Sequence, residues 1–226
     1  MGTEARIVLT RSEARNRSWA EQLDQEGRQY LLMPLTEHRA LPWAEKFESL
    51  EFDWLMFTSP TGVEHFLAAG MARGNWNVTA LGAGTETALR DAGWTVDYCP
   101  NARDGRELAT GFAAVYTAPL NILLAGPLRR LNEPSATLLA GGYSVKELAL
   151  YETHELAPIA ELQAGDVVFF CSPSAVRSFA NNIAGRPPCV AIGETTASVC
   201  RAENFPTQVA DSPNLKAMNR AASLFG

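Results

Sequence analysis

The stretch DWLMFTSPTGVEHF, residues 53–66, recurs later in the chain as DVVFFCSPSAVRSF, residues 166–179. Each copy has a buried apolar strand, a Ser-Pro pair and then an amphipathic helix. Because Ser favours the N-cap of a helix and Pro its first turn, each Ser-Pro pair predicts where a helix begins. The two stretches therefore predict two copies of one strand, turn and helix unit.

The repeat extends in both directions along the chain. VTALGAGTETALRDAGWTV, residues 78–96, matches CVAIGETTASVCRAENFPTQV, residues 189–209, and predicts a second strand, turn and helix in each copy. A fainter match joins residues 6–33 to residues 121–148. The whole chain thus reads as two units, a and b, followed by their repeats a′ and b′.

Alternating strands and helices predict βαβ units with a parallel sheet that helices cover on both faces. The first a unit predicts a strand at residues 6–10, a helix at 13–26 that Gly27 ends, and a strand at 29–33. The b units predict further strands at residues 53–57, 77–81 and 95–98 and at residues 166–171, 189–192 and 207–210. The fold class is therefore α/β, with two doubly wound lobes of five strands each and a cleft between them.

Periodicity leaves the pairing of the units open, because unit a can share a sheet with b or with b′. The two segments that join the units give a hint. PLTEHRAL, residues 34–41, and LYETHELAP, residues 150–158, are both extended in character and carry Thr, Glu and His. Their similarity indicates two antiparallel crossings that run side by side between nested lobes.

Composition excludes several classes of protein. The 226 residues are 46% apolar and 19% charged, as in ordinary globular proteins, and the net charge of −6 argues against a nucleic-acid partner. Four Cys without a CxxC pair and three scattered His form no zinc or haem motif. The N-terminus lacks a signal-peptide pattern, and Pro and Asn interrupt the one uncharged run of membrane-spanning length. These features predict a cytoplasmic protein with no membrane segment, no metal and no cofactor.

Four segments together resemble a known family. FTSPTGVEHF, ALGAGTETALRDAGWTV, LYET and AIGETTA, in this order and spacing, resemble uroporphyrinogen-III synthase, the cofactor-free lyase that cyclises hydroxymethylbilane in tetrapyrrole synthesis. The resemblance covers nearly the whole chain and implies two flavodoxin-like lobes, nested in sequence and joined by a two-stranded ladder. It also implies a monomer whose small-molecule substrate is handed over by hydroxymethylbilane synthase.

The resemblance also selects the domain boundaries. It implies that residues 1–35 and 157–226 form lobe 1 and that residues 40–149 form lobe 2, with residues 34–41 and 150–158 as linkers.

One segment departs from the family pattern. Many bacterial members have a GEGGR-like turn after the strand of the third unit, whereas this chain has GPLRRLNEP, residues 126–134. Gly126, Arg129 and Arg130 can supply similar turn geometry and charge, but Pro127 removes one backbone donor.

The implied substrate has eight carboxylates, which a protein of net charge −6 has to bind locally. Helix N-termini at the carboxyl ends of parallel strands favour carboxylates through unpaired N–H groups and the helix dipole. Five such termini predict the substrate-binding residues Thr10, Arg11, Ser12, Ser59, Thr61, Gly62, Gly84, Thr85, Ser172, Ser174, Gly193 and Thr195. The alternative for Ser59 and Ser172 is a purely structural role as N-caps.

The resemblance implies a catalytic residue as well. Tyr151, in the LYET stretch, matches the family's tyrosine and is the predicted proton donor for loss of the substrate hydroxyl group. The alternative is a tyrosine that packs against the ladder with its hydroxyl bonded to backbone. Thr196 is the second catalytic candidate, and Thr85 and Thr87 are threonines of the corresponding turn in the first repeat.

Three other classes of protein share parts of this pattern. A dinucleotide-binding site at GAGTET would need a third glycine, but this chain has Thr87 at that position. It would also need an acidic residue after the next strand, and none stands there. A serine hydrolase would need a G-x-S-x-G elbow, which Ser59 lacks, and His65 lies on the same helix. A two-lobed small-molecule binding protein of the periplasmic type, without catalysis, has the same cleft and stands as the alternative. His38, His65 and His154 are predicted to be surface or ladder residues.

Overall fold

The computed structural model describes residues 5–225, which fold as two units. One unit combines the chain up to His38 with the chain from His154 onward, and the other runs from Arg39 to Thr153. The second unit is thus inserted into the sequence of the first.

Strands and helices alternate along most of the described chain. The strands are β1 (Ile7–Leu9), β2 (Tyr30–Leu32), β3 (Thr36–Ala40), β4 (Trp54–Phe57), β5 (Asn77–Ala80), β6 (Asn121–Pro127), β7 (Ser144–Glu155), β8 (Val167–Phe170), β9 (Cys189–Ala191) and β10 (Thr207–Val209). The α-helices are α1 (Glu13–Gln25), α2 (Ala44–Glu48), α3 (Pro60–Ala68), α4 (Gly82–Asp91), α5 (Gly105–Val115), α6 (Ser135–Ala140), α7 (Pro173–Asn182), α8 (Glu194–Ala202) and α9 (Leu215–Ala222).

The first unit has a five-stranded sheet with the order β10-β9-β8-β1-β2, in which neighbouring strands are parallel. Ile7 of β1 lies opposite Val167 of β8 on one side and Tyr30 of β2 on the other. The strand nearest the N-terminus therefore shares a sheet with the strand that follows the insertion. This pairing confirms the predicted nested arrangement.

Helices cover both faces of this sheet, because successive side chains of a strand point to opposite faces. Ile7 and Leu9 pack into one core cluster, in which Trp19 of α1 and Met218 of α9 take part. Val8 packs into the other cluster on the opposite face. The sheet is therefore doubly wound, as the sequence predicts.

The second unit has a five-stranded sheet with the order β3-β7-β6-β4-β5. β4 is parallel to both β5 and β6, and β6 is parallel to β7. Its two faces are again apolar, with Trp43 stacked on Phe66 in one cluster and Trp54 packed edge-on against Phe112 in the other. The α/β fold class with two parallel-sheet units is therefore confirmed.

The predicted strand at residues 95–98 is wrong. The contact with β5 is limited to one bridge between Tyr98 and Thr79, with the backbone N–H groups of Asp97 and Tyr98 both donating to the Val78 carbonyl. The physical reason is the side chain of Asp97, whose Oδ2 atom accepts a hydrogen bond from the backbone N–H of Val78 at 2.7 Å. A side chain thus takes the place that a backbone carbonyl would have in a continuous ladder.

The fifth strand of this sheet is β3, which lies in the segment predicted as a linker at residues 34–41. Leu35 accepts a hydrogen bond from Leu156, and Leu41 donates one to Leu150, both at 2.9 Å. The residue numbers rise along β3 while those of the partner residues fall along β7, so the two strands are antiparallel. The segments that connect the units are thus paired strands rather than loose linkers, in agreement with the predicted two-stranded ladder.

An aspartate stands immediately before the equivalent strands of the two repeats. Asp166, before β8, accepts two hydrogen bonds from the Arg6 guanidinium at 2.8 and 2.9 Å, and its side chain is only 2% exposed. Asp53, before β4, accepts bonds from the backbone and side-chain nitrogens of Asn121 at 2.7 and 3.2 Å. Each aspartate therefore fixes the register of its strand against the neighbouring strand.

These two aspartates offer a matched test of the nested topology. We expect Asp166→Ala to lower the free energy of unfolding by about 3 kcal/mol, because it breaks a largely buried ion pair between β8 and the segment before β1. Asp53→Ala removes exposed hydrogen bonds and should cost about 1 kcal/mol. Urea denaturation of both variants measures the difference, and equal losses would contradict the special importance of the Arg6–Asp166 contact.

Candidate functional site

Five turns at the carboxyl ends of strands contain the predicted substrate-binding residues. Ser59 precedes α3 and Ser172 precedes α7, with nearly the same backbone angles, φ −158° and ψ 151° for Ser59 and φ −156° and ψ 151° for Ser172. Each side-chain oxygen accepts a hydrogen bond from a backbone N–H three residues on, from Gly62 at 3.2 Å and from Ala175 at 3.3 Å. Both serines are therefore N-caps, and each cap occupies a helix donor that a ligand would otherwise use.

Thr61 and Gly62 serve helix packing. A Cβ atom added to Gly62 would lie 3.4 Å from the carbonyl oxygen of Ala125 in β6 and 3.5 Å from the Phe57 ring, and Thr61 is only 8% exposed. These are ordinary van der Waals distances, so the first turn of α3 packs directly against β6 and the Phe57 ring. These two candidates are buried between helix and sheet rather than presented at the surface.

The turn between β1 and α1 is held by a residue that the sequence analysis missed. Asn16 is fully buried, and its amide donates hydrogen bonds to the carbonyls of Leu9 at 3.2 Å and Arg11 at 2.8 Å. Ser12 occupies the N-cap position, but its side chain makes no capping bond. Thr10 is buried and donates to the Phe169 carbonyl at 2.6 Å. Thr10 is therefore a structural residue.

Two arginines lie near the end of β8. The Arg11 guanidinium stacks over the Trp19 ring, 4.5 Å from its centre. Burial raises the pKa of the Cys171 thiol to about 12, and the positive charges of Arg11 and Arg15 oppose this rise. Arg15 is thus close to Cys171 and to the predicted residues at this edge, although the sequence analysis did not name it. Ser174 also lies at this edge, with its hydroxyl 3.0 Å from that of Ser172.

The N-termini of α4 and α8 differ from those of α3 and α7 because no side chain caps them. Gly193 precedes α8 in an extended conformation, and a Cβ atom there would meet open space. Thr195 is exposed, whereas Thr196 is only 4% exposed. In α4 the matching positions follow the same pattern, with Gly84 exposed and Thr85 buried. These uncapped termini leave backbone N–H groups for an anion, although in α4 the Gly82 N–H is hydrogen-bonded to the Cys99 thiol.

Tyr151, the predicted proton donor, lies in β7 where the pairing with β6 is irregular. The register shifts after Gly126, and Pro127 lies opposite Tyr151. The Tyr151 carbonyl accepts a hydrogen bond from the Leu128 N–H at 2.7 Å, and the residue is only 5% exposed. The His65 ring of α3 stacks on the Tyr151 ring, with centres 4.6 Å apart and planes 15° apart.

Arg130 gives the turn at residues 126–134 a structural role. Its guanidinium donates to the carbonyls of Leu124 in β6 at 3.0 Å and Leu148 in β7 at 3.2 Å, and its Nε atom lies 3.5 Å from a Glu147 carboxylate oxygen. Burial lowers the pKa of Arg130, and the negative charges of Glu147 and of an ionised Tyr151 would oppose this shift. Arg130 thus ties the two strands together close to Tyr151, while Arg129 is exposed.

Two sizeable cavities lie at the opposite, amino ends of the strands. One has a volume of about 620 Å³ and includes Arg6, Gln29 and Asp166 in its lining. The other, of about 460 Å³, includes Asp53 and Asn121. Neither cavity contains a predicted site residue.

The described residues show no cluster of His, Cys, Asp or Glu that could hold a metal ion. No helix between residues 5 and 225 is both long enough and apolar enough to cross a membrane.

The fold and these helix N-termini define a two-unit α/β protein of parallel sheets, with binding residues expected at the carboxyl ends of the strands. The family model described as uroporphyrinogen-III synthase HemD matches residues 17–220. The chain therefore belongs to the uroporphyrinogen-III synthase family, which confirms the resemblance seen in the sequence.

Individual relatives agree with this assignment. The porphyrin biosynthesis protein HemD of Ruminiclostridium josui is 24% identical over 236 residues, a match that covers 94% of this chain and 47% of that protein. The chain thus spans about half the length of this curated relative.

Solved structures share the fold. The crystal structure of the uroporphyrinogen-III synthetase of Helicobacter pylori is similar with a TM-score of 0.66 and 19% identity, over 98% of this chain and 100% of that chain. A mutant uroporphyrinogen III synthase of Thermus thermophilus has a TM-score of 0.64 and 16% identity, over 98% of this chain and 97% of that chain.

The pKa of Cys171 predicts the reactivity of this edge. At pH 8 the native thiol should react with iodoacetamide roughly 10³-fold more slowly than an ordinary cysteine, because its thiolate fraction is that much smaller. The rate should rise about tenfold for each pH unit until the pKa is reached. Peptide mass spectrometry measures the labelling, with the urea-unfolded chain as the control. Fast labelling of native Cys171 at pH 8 would be inconsistent with its surroundings.

Proposed function

We propose that this chain converts hydroxymethylbilane to uroporphyrinogen III, with loss of water and inversion of ring D. The observation that carries the proposal is the family match, which extends over residues 17–220 and thus includes both units. The fold similarity over 98% of the chain supports it. The alternative, a two-lobed binding protein without catalysis, has no comparable support.

The reaction begins when the carbon–oxygen bond of the hydroxymethyl group breaks and the electron-rich pyrrole stabilises the resulting cation. The departing hydroxyl takes a proton and leaves as water. We assign this proton to Tyr151, whose ordinary pKa of about 10 makes it a weak acid that suits an easy leaving group. Because the partly buried Arg130 cation interacts favourably with an ionised Tyr151, it stabilises the phenolate that remains.

Ring D then attacks through its substituted carbon, the spiro intermediate opens, and ring D closes again, inverted, through its unsubstituted carbon. That carbon loses a proton, which restores the Tyr151 hydroxyl. The protein has to hold the chain in the shape from which this attack occurs, since an unguided chain closes without inversion to the type I isomer. Such positioning contributes more to the rate than a single proton donor does.

We assign the substrate carboxylates to the helix N-termini that no side chain caps. The first turns of α1, α4 and α8 meet this condition, and each contributes about 0.3–1 kcal/mol to binding a negative charge. Their candidates are Arg11, Ser12, Gly84, Gly193 and Thr195. Thr196 is proposed to act from the buried side of the α8 turn by fixing the position of these donors.

We further propose that the protein works as a cytoplasmic monomer without a cofactor and receives its substrate from hydroxymethylbilane synthase. The uncapped helix termini support binding of the free polycarboxylate in water. Size-exclusion chromatography with light scattering, with and without the preceding synthase, tests both the oligomeric state and the hand-over.

Tyr151→Phe tests the proposed chemistry. We expect the rate of type III formation to fall by at most ~10²- to 10⁴-fold, because one proton donor is lost while the positioning of the substrate is retained. The readout is separation of type I and type III isomers after incubation with fresh hydroxymethylbilane. Circular dichroism of the variant serves as the control for folding.

Two outcomes would count against this account. A Tyr151→Phe variant with wild-type kinetics would reduce Tyr151 to a structural residue. A wild-type chain that yields only the type I isomer would overturn the proposed function itself.

A further inference from the structure

The ring of His65 is held in place by the way α3 is anchored. Ser59 caps the helix, and the first turn at Gly62 packs against Ala125 of β6. His65 lies one turn after Gly62, on the same side of the helix. Its contact with Tyr151 of β7 therefore follows from a rigid helix rather than from a mobile side chain alone.

The first unit has no such ring pair at the matching positions. Ser178 of α7 aligns with His65, and Thr36 aligns with Tyr151. Ser178 is fully buried, and its hydroxyl donates to the Leu156 carbonyl at 3.1 Å. In both units this helix position thus contacts a segment that connects the units, but only the second unit places an aromatic pair there. In the first unit Ser178 makes a structural contact at this position, so packing alone does not require an aromatic residue there.

Stacking on a fixed ring limits how the partner ring can turn. The offset or parallel contact of two flat rings gains energy from their complementary charge distributions, and rotation of one ring loses this gain. A proton donor has to stay within a fraction of an ångström of its productive position. A Tyr151 ring that could tilt about its Cα–Cβ bond would displace the hydroxyl and slow proton transfer.

We propose that His65 is a positioning residue for Tyr151, whose imidazole ring holds the phenol ring in the orientation from which its hydroxyl donates a proton to the substrate. The proposal rests on the proposed function, because it assumes that Tyr151 is the donor. His65 acts through its flat ring and not through its own proton. From the sequence, His65 is predicted to be a surface or ladder residue with no part in the reaction.

Two variants of His65 distinguish the role of its flat ring from the role of its titrating group. His65→Ala removes the ring, and we expect kcat for type III formation to fall ~2- to 10-fold, the range that the energy of one aromatic contact allows, with KM unchanged. His65→Phe keeps a flat ring without a titrating group and should stay within about twofold of the wild type. An equal loss in both variants would overturn the proposal, and so would an unaffected His65→Ala.

A double variant tests whether His65 acts through Tyr151. In the Tyr151→Phe background, His65→Ala should cause no further loss, because no hydroxyl is left to position. Independent losses that multiply would contradict the proposal. Ser178→Ala provides the matched control, since it removes a buried contact at the same position of the other repeat and should lower the melting temperature without changing kcat.

A measurement that needs no activity separates this proposal from the proposed function. The Tyr151 ring signal in a sample with ¹³C-labelled tyrosine rings can be assigned by its loss in Tyr151→Phe. Ring flipping leaves the hydroxyl oxygen in place, but its rate reports how firmly the ring is held. We expect slow flipping in the wild type and in His65→Phe, and fast flipping in His65→Ala. Equal flipping rates in all three would overturn the positioning role, whatever the enzyme assay shows, whereas a wild type without type III activity would overturn only the proposed function.

Discussion

The backbone pairing of β1 with β8 is the contact on which the rest of the molecule depends. It joins parts of the chain that are about 160 positions apart, and the ion pair of Arg6 with the buried Asp166 fixes its register. Because β1 lies inside the first sheet, residues 39–153 can fold only as an insertion. The chain must leave the first unit and return to it at neighbouring points, and this requirement explains why β3 and β7 are paired strands.

The internal repeat made most of this fold predictable. Two copies of one pattern reinforce each other, and the capping serines before α3 and α7 have the same geometry in both, as repeated sequence implies. The prediction went wrong where side chains compete with backbone. Asp97 accepts the N–H of Val78, so residues 95–98 form no strand beside β5. The fifth strand of the sheet is β3, at the opposite edge. A pattern of apolar residues does not reveal such a local competition.

The candidate site was less predictable than the fold, because spacing identifies turns but not the direction of their side chains. Thr10 and Gly62 lie in the expected turns, yet neither is presented to a ligand. Thr10 is hydrogen-bonded to the Phe169 carbonyl, and Gly62 packs against β6. The contacts that sequence analysis missed are long-range ones. Asn16 fixes a turn from within its helix, His65 reaches Tyr151 across two elements, and Arg130 bonds to two strands at once. None of these has a short motif that would signal it.

We propose that a polycarboxylate binds at the carboxyl ends of the strands, although two sizeable cavities lie at the amino ends. Hydrogen–deuterium exchange with and without uroporphyrinogen III tests this claim most directly. We expect slower exchange of backbone amides in the first turns of α1, α4 and α8, where the N-cap residue makes no side-chain hydrogen bond. Protection at residues 28–29 and 163–166 instead, with the helix N-termini unchanged, would contradict it.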